Sequence, residues 1–151
     1  MRPRSLVKPL PLPLAAVIAL CVSACGGGAT SVLHGQGKPT GAGDAELTIK
    51  NSSGASVAQL YITKTEVVEQ AHKAGVSAGT EADRNLWGAD ELGNASIGDG
   101  STWSALHLPP ARYDVLVVAT DHREQLVKRL NLQAGGKYVL ELRDAWKRGR
   151  D

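Results

Sequence analysis

Few groups in this chain can do chemistry. It has 151 residues, with four His, two Cys, three Trp and no Phe. His34, His72, His107 and His122 are scattered, and none forms an H-x-x-x-H pair, the spacing that sets two imidazoles on one helix face for a metal. His122 sits in the turn-like "DHRE" beside Asp121 and Glu124, while His107 lies in a strand-like run. A Ser-His-Asp constellation assembles in space, so spacing leaves it open. Asp90, Glu91 and Asp99 offer oxygens to calcium, but that ion takes about six to eight oxygen ligands and these acids lack EF-hand spacing. A solvated loop is the simpler reading, and no metal or cofactor is expected. Trp87, Trp103 and Trp146 offer faces on which a sugar ring could stack. Against this, a chain without Phe needs its aromatics inside: Trp87 to plug the core under its loop, Trp103 to pack at a strand end. Trp146, in "AWKRGR", is the one expected to stay exposed.

The two cysteines stand apart from these groups. Arg2, Arg4 and Lys8 open the chain, and an apolar run follows whose uninterrupted part is Leu14 to Val22. That is far short of the roughly 20 apolar residues a spanning helix needs, and it has the shape of a signal peptide's central region. Val22-Ser23-Ala24-Cys25 then resembles the lipobox of bacterial lipoproteins, an aliphatic residue, two small ones and a cysteine. The alternative is an ordinary secretory peptide that leaves Cys25 as a free thiol. The resemblance implies diacylglycerol on the Cys25 sulfur, cleavage before it and acylation of the new amino group. Each buried methylene contributes about 0.8 kcal/mol, so two or three chains hold a protein to a bilayer where one holds it only marginally. Gly26 follows in place of the Asp that favours inner-membrane retention, which implies an outer-membrane protein facing the periplasm.

Composition supports an exported chain. Loss of residues 1–24 takes three of the 17 basic residues and none of the 15 acidic ones, leaving 14 against 15. No basic excess remains for nucleic acid. Cys21 leaves with the leader and the Cys25 sulfur carries lipid, so no disulfide forms within the chain. Residues 25–43 read as the lipidated cysteine and a flexible glycine-rich tether. Its span is roughly 23 Å by random-coil scaling. A β domain is expected over 44–146, followed by a basic tail, 147–151, whose "KRGR" either touches anionic headgroups or is simply solvated.

Within the domain the periodicity is that of strands. "AELTIKNSSG" puts Leu47 and Ile49 on one face and ends in a turn cluster, and "SVAQLYIT" puts Ala58, Leu60 and Ile62 on one face. These two read as an antiparallel pair. Residues 64–75 fit either a strand extension or a helical turn with Val67, Val68 and Ala71 as its apolar edge, and no element is assigned over 66–93. "STWSALHL" alternates. "PPARYDVLVVAT" is apolar on both sides, the mark of a central strand. "QLVKRLNL" places Leu126, Leu130 and Leu132 on one face, and "KYVLELRD" turns Tyr138, Leu140 and Leu142 inward. Strands at such spacing predict an all-β fold, an antiparallel sandwich or small barrel of about six to eight strands.

"LTIKNSSG", "QLYIT", "LWGADELG", "IGDGSTW", "LPPARYDVLVVATDHRE" and "LNLQAGGKYVLEL" together resemble a poorly characterised group of small exported bacterial domains, over Glu46 to Arg143. Its Asn-rich first turn, Trp-Gly and Leu-Gly loop, Gly-x-Gly turn and Tyr-Asp-Val strand are structural motifs, so the resemblance implies a fold and no activity. "LPPARYDVLVV" also looks like the closing strands of Ig-like, transthyretin-like and carboxypeptidase-regulatory β-sandwiches, though Ala111 stands where those usually have Gly.

The expectation is therefore a non-catalytic interaction or structural module of the bacterial cell envelope, held to the lipid bilayer through acylated Cys25, with an envelope protein or glycan as partner. A carbohydrate- or peptidoglycan-binding module is the second reading, and a hydrolase with its site within 64–100 the third. The Cys25→Ala chain should lose incorporation of labelled palmitate and accumulate as uncleaved precursor on gels. Normal maturation of that variant would replace the lipobox reading by an ordinary leader.

Overall fold

A computed structural model describes residues 30–149. Cys25 and the leader lie outside the described residues. The elements are β1 (Val32–Gly35), β2 (Ala45–Asn51), β3 (Val57–Lys64), α1 (Thr65–Lys73), α2 (Glu81–Asn85), β4 (Thr102–Leu108), β5 (Ala111–Ala119), β6 (Glu124–Leu132) and β7 (Lys137–Leu142). They form two sheets, one ordered β1-β7-β2-β4 and the other β3-β5-β6. The fold is mostly β, as the periodicity predicts.

One hydrophobic cluster draws on both sheets. Leu47 and Ile49 of β2 and Leu140 and Leu142 of β7 pack with Leu60 of β3, Val115 and Val117 of β5, and Leu130 and Leu132 of β6. A fully buried aliphatic side chain contributes about 1.5–3 kcal/mol. The alternation of β2 and β7 follows from this one-sided burial, with Thr48 and Lys50 turned away from it. β5 is the central strand of its sheet, and its second face is apolar too. There Leu116 meets Val68 of α1 and Trp87, with Tyr61 and Leu126 alongside. The ambiguous stretch after residue 64 thus becomes a helix because Val68 has an apolar sheet face to cover, while Val67 stays 40% exposed.

Three expectations are corrected. β2 and β3 are not a hairpin: they belong to different sheets, and β2 pairs in parallel with β7 and antiparallel with β4. The chain crosses between sheets at Asn51, a fully buried residue. Its side-chain amide donates to the Ala55 carbonyl (2.8 Å) and the Ile97 carbonyl (2.9 Å), and its oxygen accepts from the Ser53 N–H (3.2 Å) and hydroxyl (2.6 Å). Two donors and two acceptor sites are all in use, so the crossing is fixed.

The described part of the expected tether, from residue 30 on, is bound to the sheet. Val32–Gly35 pairs antiparallel with β7. Beyond it, the Gln36 N–H donates to the Lys137 carbonyl (2.7 Å), the Gly41 N–H to the Ala134 carbonyl (2.9 Å), and the Gly135 N–H to the Gly43 carbonyl (3.2 Å). A Cβ at Gly135 would collide with the Thr40 side chain and the Ala42 carbonyl, so only glycine lets this segment lie on the β6–β7 turn. Backbone bonding overrides the low apolar content that reads as coil. At the other end, Lys147 exchanges both backbone hydrogen bonds with Glu124 (2.8 and 2.9 Å), so the basic tail begins as bridged chain rather than a frayed end.

The third correction concerns β6. Leu130 pairs with Tyr113 but Val127 with Val115, so β6 carries one extra residue. Arg129 takes up the bulge at φ 58°. The buried Asp114 carboxylate accepts the Arg129 N–H (2.8 Å) and the Thr65 hydroxyl (2.6 Å). Beyond the bulge the parity reverses: Leu130 and Leu132 face the main core, whereas Leu126 faces the Trp87 cluster. Asp114→Ala strands a part-buried N–H and a buried hydroxyl, and should lower unfolding stability by about 2 kcal/mol. Urea melts against Asp121→Ala, whose carboxylate pairs with Arg123 at the surface and whose loss should barely move the midpoint, check this.

Candidate functional site

The two ends of the described chain converge beside β6 and frame a cleft of about 650 Å³. Thr30 and Ser31 form one wall, Asp144 to Lys147 another, and Gln125 to Lys128 the floor. Ser31 is pinned there, its hydroxyl oxygen accepting the Arg143 N–H (2.9 Å) and the Gln125 side-chain amide. The β6 bulge turns Gln125 inward, where it is only 4% exposed. One end of its amide is spent on Ser31. The other, Oε1, is buried and has no hydrogen-bond partner. Buried polar atoms are nearly always paired, so this oxygen costs stability, as does the equally unpaired Trp87 Nε1.

Trp146 lines this cleft and is half-buried, which corrects the expectation that it stands exposed in a loose tail. Its indole N–H donates to the Ser53 carbonyl (3.0 Å), and the Arg123 guanidinium lies 5.7 Å from its ring centroid. The other two tryptophans are elsewhere. Trp87 is 4% exposed in the cluster under α1, and it offers no face to a ligand. Trp103, opposite Ile49 on β4, packs against the main core. The three rings therefore form no common platform.

A second groove of about 570 Å³, lined mostly by polar residues, crosses the outer face of the β1-β7-β2-β4 sheet between His34, Gln36, Thr48, Lys50, Thr102, Val139 and Glu141. Its charges are consumed internally. The Glu141 carboxylate takes hydrogen bonds from Arg143 (3.1 Å), Lys50 (3.2 Å) and the Ser52 hydroxyl (3.4 Å), with His34 Nε2 at 3.4 Å. Those from Arg143 and Lys50 chiefly hold its pKa down at about 2.

No family model, curated protein or solved structure matches this chain. Its function has to be read from its own side chains. Two of the three acids considered for calcium, Asp90 and Asp99, serve the backbone instead. Asp90 accepts the Leu60 N–H (2.8 Å) and the Leu92 N–H (3.0 Å), and Asp99 accepts the Gly54 N–H (2.9 Å). Among the described residues no three His, Cys, Asp or Glu side chains gather as metal ligands. His107 and His122 are exposed, and His122 occupies a turn at φ 65°.

Gly75-Val76-Ser77-Ala78-Gly79 matches G-x-S-x-G, and nearby His72 of α1 meets the buried Asp83 of α2 at 3.0 Å. A nucleophile elbow, however, is a strained turn from strand to helix. Ser77 instead follows a helix, with Gly75 at φ 95° as its stop, and it leads into the Thr80 cap of α2. Asp83 also accepts the Gly79 N–H (2.8 Å), so the cluster ties α1, the turn and α2 together.

Because Glu141 is more acidic folded than its ordinary 4.5, the stability it contributes is complete above about pH 4.5 and is lost as pH falls toward 2. The difference in melting temperature between the native chain and Glu141→Gln should hold steady from neutral pH to about 5, shrink below it, and narrow in high salt. A pH-independent difference would mean the network adds no charge-linked stability.

Proposed function

We propose that this chain is a non-catalytic module of the bacterial envelope, anchored through acylated Cys25 in the outer membrane and held against the bilayer on its periplasmic side, with its two sheets packed as a β-sandwich. The observation that carries the reading is the pinning of Ser31 beneath Arg143 and Gln125. Only six residue steps separate Ser31 from Cys25, a reach of at most about 20 Å. A domain so close to its anchor works at the membrane surface rather than at the end of a long leash, with its cleft beside the point of attachment.

The shared core of the two sheets supports the sandwich. So does the Tyr113 hydroxyl at the start of β5, which donates to the Pro109 carbonyl four residues upstream (2.8 Å). A tyrosine bonded back to the preceding corner is a recurrent device of such folds. No helix among the described residues is long and apolar enough to cross a membrane, in keeping with attachment by lipid.

A photo-activatable residue at exposed Lys128, on the cleft rim, tests the module in living cells. It should yield a discrete envelope adduct, and the same probe in a Cys25→Ser chain should lose it. Identical adducts from the unanchored chain, or none from either, would overturn the membrane-proximal reading.

A further inference from the structure

We propose that the open edge of β6 takes up an extended peptide segment of a partner protein as an added strand. The inference names the kind of partner and rests on the anchored-module reading for where that partner is found. It starts from the direction of backbone groups. In an antiparallel ladder a residue turns its N–H and C=O to the same side, and its neighbours turn theirs to the other. The Ala119 N–H donates to the Arg123 carbonyl (2.8 Å), so Arg123 faces β5. Glu124 faces the other way and exchanges both of its bonds with Lys147. The alternation continues through the pairs of Gln125 with Val117 and Val127 with Val115, so Leu126 and Lys128 turn their backbone groups away from β5. β6 is the last strand of its sheet. Among the described residues no backbone hydrogen bond meets Leu126 or Lys128 on that side.

The cleft of about 650 Å³ lies along this edge. Its lining includes Leu126, from the face that packs on Trp87, and Leu130, from the core face. Side chains from opposite faces of one strand share a cleft only along the strand's edge. Extended chain advances about 3.4 Å per residue, so the stretch from Leu126 to Leu130 has roughly the length of three or four guest residues. The protein's own chain begins this pairing at Lys147 and then abandons it: the Ala145 N–H turns back to the Arg143 carbonyl (2.7 Å), and Asp144 to Trp146 stand as the opposite wall.

Donors and acceptors at strand spacing are matched along their length by another extended backbone, the basis of strand addition at sheet edges. A sugar or a lipid headgroup would meet one such group and leave the next unpaired. Inward side chains of the guest meet Val127 and Leu130, which favours small or apolar residues at alternate positions, while exposed Lys128 and Asp144 meet polar ones at the rim. Open edges are ordinarily blunted against unlimited pairing. The other edge of this sheet, β3, is covered, with Val57 bonded to Ile97 and the Leu60 backbone bonded to Asp90 and Glu91. On β6 the Arg129 bulge and the Lys128 charge confine the opening to a short stretch. They also make a second copy a poor guest, since two such edges in antiparallel contact would oppose like charges.

Hydrogen exchange of the full mature chain in detergent micelles, followed by NMR, tests the edge itself. The Leu126 and Lys128 amides should exchange at least about tenfold faster than that of Val127. Random peptides displayed on phage are then selected against the same chain, and the enriched peptide is synthesised. It should bind with a Kd below about 100 μM and slow exchange at Leu126 and Lys128. N-methylation of alternate peptide residues should abolish binding in one register and spare it in the other, because only one set of its N–H groups faces β6. Lys128→Pro removes an outward N–H and no bond to β5, and should weaken binding about tenfold. Should that variant fold poorly, the N-methylated peptides carry the test on the native chain.

Slow exchange at both amides in the free chain would mean that the edge is already paired, by a second copy if protection falls on dilution, and would overturn the proposal. So would a selection that enriches no peptide, or binding that leaves both amides unchanged. Peptide binding is read on the purified chain whatever becomes of Cys25. Lost palmitate labelling therefore unseats the envelope location alone, and a failed selection leaves the anchoring reading standing.

Discussion

The extra residue in β6 is the constraint on which much of the remaining structure depends. A strand shows successive side chains to opposite faces, so inserting one residue exchanges the faces of everything beyond it. Arg129 supplies the insertion, and the Asp114 carboxylate stabilises it from the neighbouring strand by accepting the displaced N–H. The consequences run outward. Leu126 joins Trp87 and Val68, giving α1 an apolar surface to cover, and Gln125 turns into the protein beside Ser31. Thr65, the first residue of α1, bonds to the same Asp114. Arg129 reaches Glu69 of that helix at 2.8 Å, and its hydrogen bonds chiefly hold the Glu69 carboxyl below its ordinary pKa. One buried carboxylate thus couples strand parity, helix docking and the floor of the cleft.

A second set of bonds joins what is far apart in sequence. β7 lies between β1 and β2, so the last strand is the one that binds the first two. With no disulfide available to the described chain, this closure rests on backbone ladders, on the shared apolar core and on Asn51. The parallel β2–β7 pair requires the whole intervening chain to fold back before it forms, a non-local contact of the kind that slows folding. The Glu141 network lies across this closure, joining β7 to Lys50 of β2 and His34 of β1.

Much of the strand content is legible in the sequence because burial is one-sided. Leu47 and Ile49, Val115 and Val117, and Leu140 and Leu142 alternate plainly, and β5 reads as central because Leu116 adds apolar character to its second face. What sequence conceals is pairing. Nothing local in "NSSG" says that the chain leaves its sheet, since a buried, fully bonded asparagine and a turn asparagine look alike. The bulge is hidden for the same reason, because an exposed arginine at positive φ has no compositional mark. The glycines of 35–43 read as tether, although their lack of side chains is what lets backbone lie on backbone. Trp146 is half-visible: its type hints at a binding surface, but its basic neighbours suggest a loose tail, and the Ser53 carbonyl, the Arg123 guanidinium and the main core fix it.

Gln125 sits where several of these constraints meet. Its side-chain amide bonds Ser31, whose hydroxyl oxygen also accepts the Arg143 N–H, so one serine ties the first described residues to β6 and to the chain just beyond β7. The bulge that sends Leu126 to the Trp87 cluster leaves Gln125 buried on the other side of the strand. There its Oε1 has no partner, an arrangement that costs stability a methionine at the same place would not lose. The amide is the part of the side chain that holds Ser31, and a methionine would release that residue from β6.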